Sequence, residues 1–145
     1  MKNLYEVFAE FEKATKREEK IDILRNNKSY ALECVLRGAF HPNIRYVIDE
    51  IPNYRKSDAP AGLGYTSIHQ ELGRAYLLEE NNPMTSPDLT LNRKKVILAQ
   101  MLESMEEKEA AVFAGMIMKR LPVKGLTYKL TQEAFPGLLP DVPWW

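Results

Sequence analysis

The sequence predicts an all-α fold, and three observations carry that expectation. Apolar residues recur at helical spacing along most of the chain. No run of five residues alternates apolar and polar side chains as a half-buried strand would. Helix-start signals, such as Thr15 with Glu18 and Ser67 with Gln70, stand just ahead of apolar stripes. At 145 residues the chain is most simply one domain, long enough to bury a core of its own.

Each element follows in order. Leu4, Val7, Phe8 and Phe11 share one face of a first helix. Thr15 and Glu18 make a capping box for a second helix, with Ile21 and Leu24 inward and Asn26–Asn27 ending it. Ser29 or a neighbour starts a third, carrying Leu32, Val35, Leu36 and Phe40. After "HPN", the spacing of Ile44, Val47, Ile48 and Ile51 predicts a short fourth helix, with Pro42 tolerated in its first turn. "PNYRKSDAPAGLGY" then reads as a structured loop or crossover, because prolines and glycines interrupt any helix there. Ser67 and Gln70 cap a helix bearing Ile68, Leu72, Ala75 and Tyr76, and "NNPMTSPD" breaks the chain again. Two further helices carry Val96, Leu98, Met101, Leu102 and Met105, then Ala110, Phe113, Met116 and Ile117. A last short helix begins at Leu126–Thr127, and no internal repeat is visible.

Charge and composition narrow the function classes. Lys plus Arg equals Asp plus Glu at 20 each, so attraction to nucleic acid must come from local clustering. The single Cys34 excludes an internal disulfide and a multi-cysteine metal site, and its apolar surroundings predict a buried structural thiol. No apolar run approaches the roughly 18 residues of a membrane span, and the charged N-terminus is unlike a signal peptide. The expected protein is soluble and cytoplasmic, with no membrane partner.

The usual catalytic constellations are missing. "AGLGYT" has no preceding strand and no following Gly-Lys-Ser/Thr, so it is not a phosphate loop. His41 and His69 stand on separate segments without metal-ligand spacing and read as exposed or capping residues. The acidic run "ESMEEKE", Glu103 to Glu109, reads as a solvated helix start. No enzyme activity, catalytic residue, cofactor, metal or small-molecule substrate is predicted.

The basic residues point further. Lys119, Arg120, Lys124 and Lys129 fall within eleven positions around a helix–turn–helix junction. Gly125 there permits a positive φ or close backbone approach to a ligand. Thr127 is placed to cap the following helix, whose free N–H groups would favour a phosphate. Arg93 and Lys94, with Lys95, open an earlier helix, and Arg55–Lys56 lie in the Pro-rich loop. The plainer reading is scattered surface charge on a neutral protein. The absence of an aromatic-interleaved basic strand disfavours a single-strand stacking module.

The order of these features resembles the N-terminal helical DNA-binding domain of phage-type ATP-dependent DNA ligases. "KIDILRNNKSYALECVLRGAFHPNIRYVIDEIP" is similar to that domain's early helices, with Arg37 in the Leu-rich helix and Tyr46 to Pro52 as an aromatic–Ile–x–x–x–Pro segment. "VFAGMIMKRLPVKGLTYKLTQEAFPGLLPDVP" resembles its ending more sharply: a penultimate helix with a basic end, a Gly turn, and a last helix closing on Phe135 to Pro140. The likeness spans nearly the whole chain and extends to short standalone proteins of tailed phages. It implies a domain over 1–136, followed by a Pro/Trp tail over 137–145. It also implies a grip on duplex DNA across the minor groove, mostly through phosphates, with the family's basic, Gly and hydroxyl positions falling on Lys119, Gly125 and Thr127. Arg120 stands where the ligases commonly have an acid, and the turn is one residue longer at Pro122–Val123.

A ligase also needs a nucleophilic Lys in a K-x-D-G context, and no Lys here is followed two residues later by Asp-Gly. The expected function is therefore a non-catalytic duplex DNA-binding accessory protein, phage-encoded and acting in the host cytoplasm. The alternative is a protein-interaction adaptor on the same scaffold. In that reading Trp144 and Trp145 dock into a partner, whereas otherwise they fold back on the core.

Overall fold

The computed structural model describes residues 3–56, 66–80 and 82–140. Among them are seven α-helices: α1 Leu4–Lys13, α2 Arg17–Asn26, α3 Tyr30–Phe40, α4 Ile68–Leu72, α5 Leu91–Ser104, α6 Glu107–Ile117 and α7 Tyr128–Ala134. A 3-10 turn, Ala75–Leu78, follows α4. The described residues contain no strand, only an isolated antiparallel bridge between Tyr46 and Glu79. The fold is all-α, as the apolar spacing requires.

The centre of the domain is α6. Its sequence "EKEAAVFAGMI" is apolar on nearly every side after the first turn, which suits a helix surrounded by others. It packs against α1, α3, α4 and α5, and α7 reaches the assembly through α2. Phe11 of α1 and Phe113 of α6 are fully buried, and Leu24, Leu32, Leu36, Leu98, Met101 and Leu102 fill the space around them. Burial of this apolar surface is the main force closing the fold.

Local capping follows the sequence in most places. Ser29 Oγ accepts from Leu32 N at 3.1 Å, and Thr90 Oγ1 accepts from Arg93 N at 3.2 Å. Ser67 and Gln70 complete a reciprocal capping box. Thr15 and Glu18 do not: α2 starts one residue later, with Lys16 at the cap and no side-chain bond. The helix after Ser67 is also short, ending at Leu72 before Gly73, so Ala75 and Tyr76 lie in the 3-10 turn.

The predicted fourth helix does not form. Val47 N donates to the Leu78 carbonyl at 3.0 Å and Glu80 N to the Arg45 carbonyl at 2.6 Å. These bonds flank the isolated bridge at Tyr46 and use up the Val47 amide and the Arg45 carbonyl, which a helix would have needed. Ile48 is buried all the same, so the apolar spacing marked core contacts but not a helix. Three burial expectations also change. Val96 is 44% exposed on the outer face of α5. Cys34 is only half-buried. Glu106 and Glu109 are buried, not solvated, because Glu106 caps α6 by accepting from Lys108 N and Glu109 N. At the other end, packing continues past residue 136: Leu139 is buried, and the Tyr128 hydroxyl donates to the Pro140 carbonyl. Trp144 and Trp145 lie outside the described residues.

Candidate nucleic-acid interface

The junction after α6 is built by a Schellman turn. Arg120 N donates to the Gly115 carbonyl at 2.8 Å and Lys119 N to the Met116 carbonyl at 3.0 Å, which places Lys119 in the left-handed position with φ 59°. Gly115 has to be small for this turn to close, since a Cβ there would lie 2.7 Å from Pro122 Cδ and 3.0 Å from the Arg120 carbonyl oxygen. Glycine is the usual residue at the left-handed position, so a lysine there calls for a reason.

The reason lies on α3. Lys119 Nζ donates to the Gly38 carbonyl at 2.7 Å and to the His41 carbonyl at 2.9 Å. In a continuing helix the Gly38 carbonyl would accept from the amide four residues on, but that residue is Pro42, which has no N–H. Lys119 therefore supplies the missing donor and sets a positive charge at the C-terminal end of the α3 dipole. Its ammonium also sits 5.8 Å from the centre of the Tyr46 ring. Burial lowers its pKa to about 8, with Glu79 opposing that shift and Arg45 adding to it. This corrects the expectation of an exposed phosphate ligand: Lys119 is a half-buried clip between α6 and α3.

The remaining junction residues are different. Arg120, Lys124 and Lys129 are exposed. Gly125 has φ 86°, and a Cβ there would lie 2.6 Å from Lys20 Nζ, so the α2 ammonium rests against the glycine turn. Lys20 lies over Phe11 as well, at 5.0 Å from the ring centre. Lys124 N donates to Glu12 Oε2 of α1 at 3.2 Å. Among the described residues, no carboxylate lies within ion-pair distance of Arg120, Lys20, Lys124 or Lys129. Nothing in the linear neighbourhood of Lys20 or Glu12 marks them for this site, because each arrives from more than a hundred residues away.

Two other expectations do not carry over. Thr127 does cap α7, accepting from Leu130 N at 3.2 Å, but α7 has only seven residues and its first turn makes a weak anion site. Arg93 is exposed and Lys94 half-buried at the start of α5, while the neighbouring Lys95 pairs with Asp49 at 3.3 Å. Since α5 packs on α6 and the 3-10 turn, whereas α7 packs on α2, the fold does not draw the two basic groups onto one helix pair. The histidines behave as capping and surface residues: His41 ends α3 and accepts from Asn43 N at 3.1 Å, and His69 meets the exposed Tyr30 ring edge-on.

A family of unknown function, DUF6433, matches residues 7–122. The chain belongs to that family. The matched span runs from α1 through the Lys119 clip and stops before Lys124. No curated protein matches the chain. No helix among the described residues is long and apolar enough to cross a membrane.

Proposed function

We propose that this protein is a non-catalytic accessory factor that binds duplex DNA through phosphates at the α6–α7 junction. The observation that carries the reading is the meeting of Lys20 from α2 with the Gly125 turn, beside the exposed Lys124. Among the described residues no carboxylate comes within ion-pair distance of these side-chain cations, and such cations gathered at a glycine turn suit a sequence-independent phosphate grip. The likeness to the helical DNA-binding domain of phage-type ligases supports the same reading, as does the missing K-x-D-G motif. The grip consists of Arg120, Lys124, Lys129 and Lys20, with Lys119 acting only as its scaffold.

Fluorescence anisotropy of a labelled duplex, titrated over a range of salt, tests this. Three or four neutralised phosphates give a log–log slope of about −3, and a protein of zero net charge adds little long-range attraction, so affinity should be near micromolar. Changing Arg120, Lys124 and Lys129 together to Glu should abolish binding with the helical content unchanged. Absence of duplex affinity at low salt would sink the reading. A second reading, a protein-interaction adaptor, draws on the exposure of Leu91 and Val96 on α5 and of Met84 in the loop ahead of it. It becomes the better one if duplex binding fails.

A further inference from the structure

The Lys124 amide is not vacant. It already holds an anion, the Glu12 carboxylate, at 3.2 Å. Lys20 stands over the adjoining Gly125, whose positive φ and missing side chain let the ammonium rest directly against the turn. A carboxylate oxygen on a turn amide, beside ammonium groups, has the chemistry of a bound phosphate oxygen. Glu12 and Lys124 are both exposed, so water reaches the contact and it is exchangeable. Glu12 reaches it from the last turn of α1, a position that α1 fixes by burying Phe8 and Phe11.

We propose that Glu12 is a built-in competitor for the phosphate position at the Lys124–Gly125 turn, and that a phosphate ester must displace it to bind there. The inference rests on the phosphate-binding reading of this junction and adds its regulation. The position concerned is the Lys124 amide and its flanking ammonium groups, not the start of α7. In the resting protein the carboxylate lowers the local positive potential and occupies the donor. Once displaced it swings to solvent, and the incoming phosphate takes over both the amide and the cations.

The test uses two probes, so that its failure and the failure of the DNA reading are separable. Glu12→Ala empties the position, and Glu19→Ala removes an equal charge from the exposed first turn of α2 without touching the turn. Inorganic phosphate is titrated against the Lys124 amide signal by ¹⁵N NMR. Removing one charge about 5 Å from a phosphate in water should tighten binding roughly four-fold. The expected result is that Glu12→Ala shifts the Lys124 amide at about four-fold lower phosphate than wild type, while Glu19→Ala stays within about two-fold. Equal response in wild type and Glu12→Ala, or an equal gain in Glu19→Ala, overturns the proposal. Duplex titrations run alongside: Glu12→Ala should tighten duplex binding about four-fold with the salt slope unchanged, because the same phosphate occupies the turn in both bound proteins. A phosphate response at Lys124 without duplex binding by either protein would leave the competitor standing and remove the DNA reading. Duplex binding with no change on Glu12→Ala would do the reverse.

Discussion

Replacing Lys119 separates a structural clip from a surface ligand. In Lys119→Met the aliphatic stem remains and the donor is lost. The His41 carbonyl keeps its bond from Ile44 N at 3.2 Å, but the Gly38 carbonyl is left bare because Pro42 cannot serve it. One orphaned carbonyl and one lost charge-assisted bond cost about 2 kcal/mol, the middle of the range for such changes. In a chain of this length that lowers Tm by about 7 °C. Lys119→Gly loses the same bonds but relieves the left-handed backbone at φ 59°, recovering about 1 kcal/mol. The order of stability should be wild type, then Gly, then Met, read from urea unfolding followed by circular dichroism. The pH dependence has a definite sign. Burial depresses the Lys119 pKa to about 8, so the folded protein sheds this proton before the unfolded chain does, near its ordinary value of about 10.4. Between those values the unfolded state binds more protons, and stability rises with pH across the window. The neutral amine retains N–H groups for both carbonyls, so the clip survives deprotonation. The advantage of wild type over Lys119→Met should therefore widen from pH 8 to pH 10. A glycine variant at least as stable as wild type, or a methionine variant of unchanged stability, would refute the clip.

Two other perturbations follow from the packing. Burial and the neighbouring Glu106 raise the pKa of Glu109, partly offset by a backbone hydrogen bond from Ile68. The unfolded chain thus ionises first as pH rises, stability falls through the window above the ordinary Glu value, and Glu109→Gln should remove that fall in pH-dependent melting curves. Gly115→Ala places a methyl group 2.7 Å from Pro122 Cδ and 3.0 Å from a backbone oxygen, so it should cost about 1–3 kcal/mol despite the better helix propensity of Ala. Thermal melting of Gly115→Ala at or above the wild-type temperature would show that the Schellman turn is not tight.

The sequence by itself determined the helical class, because a spacing of three and four residues is a local property of each segment. It placed α1, α3, α5 and α6 and most of their buried faces, and it read Ser29, Ser67 and Thr127 as caps from their immediate neighbours. Tertiary contacts decided the rest. Ile44 to Ile51 has helical spacing, yet the distant chain at Leu78 to Glu80 takes up the Val47 amide and the Arg45 carbonyl in a bridge at Tyr46. Lys119 sits among the other basic residues of the junction, yet a proline just past the end of α3 leaves a carbonyl that its long side chain serves. Lys20 and Glu12 carry no local signal for the junction at all, and they belong to it only because α1 and α2 close over the Gly125 turn. A donor's partner is fixed by distance in space, and the order of residues along the chain does not encode that distance.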